Sequence, residues 1–127
     1  MTYFFDNNFS PKIAKILSIC EDVDAIHLQE EFPPHVPDAV WLSEAGRRGW
    51  VVLTGDARIR TRPVEREALE SADVTAVIVH KGFMRYQLRQ QAIWIIRHWP
   101  NIAKAVSRVC PGASLRVDAR GRVTRLT

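Results

Sequence analysis

Two short hydrophobic runs in this chain end in an aspartate: YFFD at residues 3–6 and VVLTGD at residues 51–56. Runs this short and this apolar are typical of strands that are buried on both faces of a parallel sheet. Residues that follow such strands face the crevice beyond the carboxyl edge of the sheet, where open α/β sheets bind ligands. We therefore expect Asp6 and Asp56 to lie at that edge.

A third acid, Asp38, begins a helical pattern between the two runs. Three converging carboxylates repel one another unless a cation lies among them. Their hard oxygen atoms suit Mg²⁺ or Mn²⁺. The three acids therefore favour a metal-dependent enzyme that acts on phosphates. An acid in the first turn of a helix also complements the helix dipole, which is the alternative role of Asp38.

The remaining patterns of the first half alternate between strand and helix. Ser10 and Pro11 predict a helix start, and apolar residues follow at helical spacing to about residue 20. Residues 25–28 predict a short strand, and the three prolines of residues 30–37 predict a loop. This alternation predicts an α/β fold in which helices cover both faces of a mainly parallel central sheet.

The second half continues the alternation and ends differently. Residues 74–79 predict a buried strand, and residues 115–126 predict a C-terminal β-hairpin around a turn at Arg120-Gly121. Residues 86–99 predict an amphipathic helix, Pro100 either ends this helix or starts the next turn, and residues 101–109 predict a separate helix. The apolar face of the first of these helices carries bulky side chains that either lie in the core or pair with a partner, namely Trp94, Ile95, Ile96 and Trp99.

The size and composition of the chain are those of one small globular domain, and we expect residues 1–127 to form it. No apolar run approaches the roughly 20 residues that span a membrane. The first residues reach an acid too soon for a signal peptide. Cys20 and Cys110 are far apart and form no CxxC motif, and Cys20 falls on an apolar helix face that predicts burial. A cytoplasmic protein without a membrane segment is the expectation.

Charge is divided unevenly along the chain. Residues 1–57 carry nine acids and four basic residues, whereas residues 58–127 carry five acids and fourteen basic residues. Arg58, Arg60 and Arg62 alternate just after Asp56, so we expect them to bind the phosphates of a polyanionic substrate, and Lys12 is a further candidate. The alternative is that this basic loop is simply solvated.

These motifs resemble those of PIN-like domains. The resemblance is carried by FFDNN at residues 4–8 with Pro11, by PD at residues 37–38, by GWVVLTGD at residues 49–56, and by RPVE at residues 62–65. It covers about residues 3–82, and the RPVE segment is similar to the branch grouped with VapC-type toxins. The residues from 83 onwards add nothing to it.

The resemblance implies a three-layer α/β/α sandwich and a metal-dependent endoribonuclease. It implies that Asp6, Asp38 and Asp56 are both the catalytic residues and the ligands of Mg²⁺ or Mn²⁺, with water as the nucleophile, so that cleavage leaves a 5′-phosphate and a 3′-hydroxyl. It also implies three kinds of partner, namely RNA, a second copy of the chain in a homodimer, and a cognate antitoxin protein.

The chain departs from the family pattern at the fourth acid, which many PIN domains have after the third. No second aspartate lies near Asp56, and Asp73 and Glu65 are the substitutes that the sequence offers. Glu65 either reaches the site or pairs with Arg62 or Arg66. Asn7 either hydrogen-bonds a metal-bound water or only shapes the turn after residue 6.

Two other functions compete with the ribonuclease. A receiver-like signalling domain would use Asp6, Asp56 as the phosphoacceptor, and Lys81, but it leaves Asp38 without a task. A PIN-like protein that binds nucleic acid without cutting it is the other alternative, and the absent fourth acid motivates it.

Overall fold

The computed structural model of the chain describes residues 1–126, and a six-stranded sheet lies at its centre. The strands are β1 (Thr2–Phe5), β2 (Asp24–His27), β3 (Val51–Thr54), β4 (Thr75–Val79), β5 (Ser114–Val117) and β6 (Val123–Arg125). The helices are α1 (Pro11–Glu21), α2 (Leu28–Glu31), α3 (Asp38–Arg48), α4 (Pro63–Ser71) and α5 (Leu88–Ser107).

The strand order across the sheet is β2-β1-β3-β4-β5-β6. The first five strands run parallel, and β6 pairs with β5 in the antiparallel direction. The predicted α/β fold with a mainly parallel sheet is therefore confirmed, and so is the C-terminal hairpin.

Alternate side chains of the strands enter two separate hydrophobic clusters. Phe5, Leu53 and Val77 lie in the cluster on the side of α1 and α5, whereas Phe4 and Val52 lie in the cluster on the side of α3 and α4. Helix α1 packs against α5, and α3 packs against α4. The two clusters make the protein a three-layer α/β/α sandwich, as predicted.

The sheet order reverses at β1, because β2 and β3 lie on opposite sides of it. The chain leaves β1 towards α1 on one face, and it leaves β3 towards α4 on the other. Such a switch point opens a crevice at the carboxyl ends of the two strands, which is where α/β sheets bind ligands. Asp6 and Asp56 follow these two strands.

Pro100 does not end a helix, and the prediction of two separate helices is wrong. It lies exposed inside α5, which continues without a break to Ser107 and joins the two predicted helices. A proline inside a helix costs about 3 kcal/mol. Ile102 and Val106 are buried on the α5 face that also buries Trp99, and this continued packing offsets the cost.

Two further predictions are corrected. Glu30 and Glu31 belong to the short helix α2 rather than to the proline loop, because the His27 side chain accepts a hydrogen bond from the N–H of Gln29 and caps that helix. Cys20 is exposed rather than buried.

The apolar side chains on α5 belong to the core. Trp94, Ile95 and Trp99 are buried within the chain itself, and Ile96 is half-buried. Of the two alternatives for these side chains, burial in the core is therefore the one that the structure supports, and their bulk gives no reason to expect a partner on this face. None of the helices in residues 1–126 combines the length and the apolar character needed to cross a membrane.

Candidate functional site

Asp6 is a buried carboxylic acid at the carboxyl end of β1, where only 7% of its surface is exposed. Its main-chain N–H donates to the carbonyl of Leu53 at 3.2 Å, so the residue is fixed beside the end of β3. Burial, together with the negative charges of Asp38 and Asp56, raises the pKa of Asp6 to about 7, although hydrogen bonds from Thr54 and Asn8 act in the opposite direction. Within residues 1–126 the Asp6 carboxyl group forms no ion pair, so it has no cationic partner there.

The loop after Asp6 is tied to the end of β3 through Asn8. The N–H of Asn8 donates to Oδ1 of Asp6 at 2.9 Å, and Oδ1 of Asn8 accepts from the Thr54 hydroxyl and the Gly55 N–H, both at 2.9 Å. The Thr54 hydroxyl also lies in hydrogen-bonding reach of the Asp6 carboxyl, and its single proton serves one of these acceptors at a time.

Asp56 has a different electrostatic environment from Asp6. Its Oδ1 accepts from the main-chain N–H and from Nε of Arg58, at 3.0 and 3.1 Å, and caps the 3-10 turn Ala57–Arg60. Its Oδ2 accepts from the guanidinium of Arg62. Partial burial would raise the pKa of Asp56, but the hydrogen bonds from Arg58 and the charge of Arg62 outweigh it and hold that pKa below its usual range.

Asp38 begins α3, as predicted, and is more exposed than the other two acids. Its Oδ1 accepts from Nε1 of Trp41 at 3.1 Å, and its Oδ2 lies 3.9 Å from Nη1 of Arg62. Arg62 therefore lies between Asp38 and Asp56. The predicted pairing of Glu65 with Arg62 is not found among residues 1–126, where Arg62 pairs with these two aspartates instead.

The three acids fit a divalent cation in some respects and not in others. They supply only hard carboxylate oxygens, and Asp6 is a buried carboxyl group without a cationic partner in residues 1–126, which are the features of a Mg²⁺ or Mn²⁺ site. On the other hand, in the described part of the chain no three acidic, histidine or cysteine side chains lie close enough together to hold an ion as they stand. The guanidinium of Arg62 binds Asp56 and lies 3.9 Å from Asp38, so a cation that used these carboxylates would have to displace it.

The other predicted site residues divide into those near the acids and those elsewhere. Arg58 and Arg62 bind Asp56, whereas Arg60 makes no ion pair in the described residues and lines a neighbouring cleft. Oδ1 of Asn7 accepts from the Gln29 side chain at 3.2 Å, which joins the turn to α2. The remaining two, Lys12 and Glu65, lie in the first turns of α1 and α4, and within residues 1–126 neither forms an ion pair with the acids.

Sequence reasoning missed the positioning roles of Asn8 and Thr54. An asparagine three residues after a strand indicates only a turn, because its partner at the end of β3 is 46 residues away in the chain. The signal that could have found them is the expected meeting of β1 and β3. Polar residues at the ends of two adjacent strands are natural partners.

Comparison with known proteins gives one match. The family model described as a PIN-like domain matches residues 1–81, which is more than half of the chain and includes Asp6, Asp38 and Asp56. No curated protein and no solved structure matches the chain.

Proposed function

The chain belongs to the PIN-like domain family, whose members are often nucleases, and from that premise we propose that it is a metal-dependent endoribonuclease that hydrolyses phosphodiester bonds in RNA. The observation that carries the proposal is the state of Asp6. This carboxylate is buried at the switch point of the sheet, has no cationic partner among residues 1–126, and is repelled by Asp38 and Asp56. Burying a carboxyl group beside two other acids lowers the stability of the fold, and such arrangements are typical of functional sites.

In this proposal Asp6, Asp38 and Asp56 are the residues that hold Mg²⁺ or Mn²⁺. The bound ion would supply a Lewis acid that activates water and neutralises charge on the phosphate. Asn8 and Thr54 would keep the loop of Asp6 against the end of β3. Arg62, once free of its two aspartates, would be a bidentate donor for a phosphate of the substrate.

The biological role that we propose is that of a toxin in a toxin–antitoxin pair. Its support is the similarity of residues 62–65 to the VapC-type branch, together with the basic second half of the chain, which suits RNA. The cognate antitoxin and a homodimer are the partners that this role implies. Growth arrest on induced expression, relieved by Asp6→Asn, is the expected result in cells.

The direct test is incubation of the purified chain with mixed RNA, with Mn²⁺ and with EDTA. We expect fragments with 5′-phosphate and 3′-hydroxyl ends in Mn²⁺ only, and we expect the Asp6→Asn protein to give none. Equal cleavage in EDTA would contradict a metal-dependent reaction. Cleavage products with 2′,3′-cyclic phosphate ends would contradict water as the nucleophile.

A PIN-like protein that binds RNA without cutting it is the second candidate. The pairing of Arg62 with Asp38 and Asp56 favours this candidate. If the Arg62 guanidinium stayed in place, its positive charge would balance these two carboxylates in place of a metal ion. Tight RNA binding without cleavage in either Mg²⁺ or Mn²⁺ would favour this candidate. The family match gives no support to the receiver-like alternative.

A further inference from the structure

A second cleft, of about 400 Å³, lies beside Asp56 at the carboxyl ends of β3 and β4. Three basic side chains from separate parts of the sequence line it: Arg60 from the 3-10 turn after Asp56, Lys81 from the segment after β4, and Arg116 from β5. We call it the basic cleft, defined by these three residues. Gly55 also lines the cleft, and because it directly precedes Asp56 in the sequence, the cleft lies next to the Asp56 end of the carboxylate site.

The basic cleft exists because the sheet is only partly covered on this face. Leu115 and Val117 lie in the core cluster on the α1 and α5 side, so Arg116 between them is on the opposite face, where it is exposed. Helices α3 and α4 cover β1, β3 and β4 on that face. In residues 1–126 no helix covers the neighbouring part over β5 and β6, which leaves room for a ligand against Arg116.

The charges of the basic cleft are not balanced within residues 1–126. None of its three cations takes part in an ion pair there, and no acidic residue lines the cleft. Arg58 and Arg62, in contrast, are held by Asp56. Three like charges that converge on one cleft raise the local potential and favour a polyanion.

We propose that the basic cleft binds the phosphates of an RNA strand that continues past the carboxylate site. The inference rests on the proposed function for the choice of RNA, and it adds Lys81 and Arg116 to the RNA-binding residues. Arg60 and Lys81 follow the ends of β3 and β4, and Arg116 lies on β5, the next strand of the sheet. A strand held at these three points crosses the carboxyl edge of the sheet beside Asp56.

The test measures binding of a short fluorescent single-stranded RNA in EDTA, where a metal-dependent enzyme cannot cleave it. The variant replaces all three cations with glutamine (Arg60→Gln, Lys81→Gln and Arg116→Gln). We expect weaker binding and a slope of log affinity against log salt that is smaller by about 2, since each phosphate contact in a single strand contributes about 0.7. The matched control, Lys15→Gln with Arg97→Gln, replaces exposed cations on α1 and α5 behind the sheet and should leave the slope unchanged.

Three outcomes would overturn the proposal: an unchanged slope in the triple variant, an equal loss in the control, or inorganic phosphate that competes as well as RNA does on a per-phosphate basis. The last would identify a site for a free anion. If the thermal unfolding transition of the triple variant differs from that of the wild type, the three single substitutions are compared instead. Failure of the proposed function would be recognised separately. In that case the wild type would not cleave RNA in Mn²⁺, although the salt slope of RNA binding would still be smaller in the triple variant.

Discussion

Arg62 contacts the Asp56 carboxylate, and the same guanidinium lies 3.9 Å from Asp38. One positive side chain thus bridges two of the three acids at the carboxyl edge of the sheet, and Asp6 remains without a cationic partner in the described residues. A divalent cation that used all three acids would have to displace Arg62. Metal binding would then release a phosphate-binding group beside the site, so that metal and RNA would favour each other.

The first prediction follows from this competition. Replacing Arg62 with glutamine should tighten Mn²⁺ binding by roughly two- to thirtyfold, because it removes two partly exposed ion pairs that are each worth about 0.2–1 kcal/mol. Isothermal titration calorimetry measures the change. Arg66→Gln, one turn further along α4, is the control and should have no effect. Weaker Mn²⁺ binding in the Arg62→Gln protein would show that Arg62 supports the metal site instead.

A second prediction concerns Asp6 in the reaction. Asp6→Asn is nearly isosteric and keeps an oxygen that can accept from the Asn8 N–H, so the fold should persist. The substitution removes one negative charge from the proposed metal ligands, and RNA cleavage should fall below detection. Gel analysis of RNA in Mn²⁺ measures the loss, and circular dichroism checks the fold. Cleavage at the wild-type rate would remove Asp6 from the proposed site.

The third prediction is a pH dependence of stability in EDTA. The pKa of Asp6 is raised from 3.8 to about 7 by folding, so the folded state binds more protons than the unfolded state between these values. The free energy of unfolding therefore falls as pH rises from 4 to 7, by an amount on the order of 4 kcal/mol. Urea denaturation of wild type and Asp6→Asn at pH 4.5 and pH 8 measures it. The Asp6→Asn protein should have a much larger free energy of unfolding than the wild type at pH 8 and only a slightly larger one at pH 4.5. An equal difference at both pH values would contradict the raised pKa of Asp6.

Local sequence patterns predict those features of this fold that depend on short runs of residues. The apolar runs before Asp6 and Asp56 predict β1 and β3, and Ser10 predicts the start of α1, because strand burial and helix capping involve neighbouring residues. The continuation of α5 through Pro100 could not be predicted in this way. It depends on packing of Ile102 and Val106 against strands that are distant in sequence.

The electrostatics of the site were also beyond prediction from local patterns. The alternation of Arg58, Arg60 and Arg62 indicates one basic loop with one task, whereas the structure turns two of the three onto Asp56. The 3-10 turn Ala57–Arg60 sets the directions of the Arg58 and Arg60 side chains, and the sequence pattern does not predict that turn. The basic cleft is hidden for the same reason, because Arg60 and Arg116 come together only through the order of the strands.

A fourth prediction tests whether α5 belongs to the core. Ile95 is fully buried, so Ile95→Ala should lower the free energy of unfolding by about 2–5 kcal/mol. Ile93 on the same helix is 50% exposed, and Ile93→Ala should change stability by no more than about 0.5 kcal/mol. Urea denaturation gives both values. A change in mass by light scattering in Ile95→Ala, with unchanged stability, would restore the idea that this face binds a second copy.

The last prediction separates Arg60 from Arg58 in the metal-free protein. Arg58 donates to Asp56 from both its main chain and its side chain, whereas Arg60 is not paired in residues 1–126 and lines the basic cleft. A cation already neutralised by a carboxylate releases few counterions from RNA, so Arg60→Gln should reduce the salt slope of RNA binding by about 0.7 and Arg58→Gln by much less. Fluorescence anisotropy in EDTA at several salt concentrations gives both slopes. Equal reductions would mean that Arg58 leaves Asp56 when RNA binds, and that the three arginines act together as the sequence alone predicts.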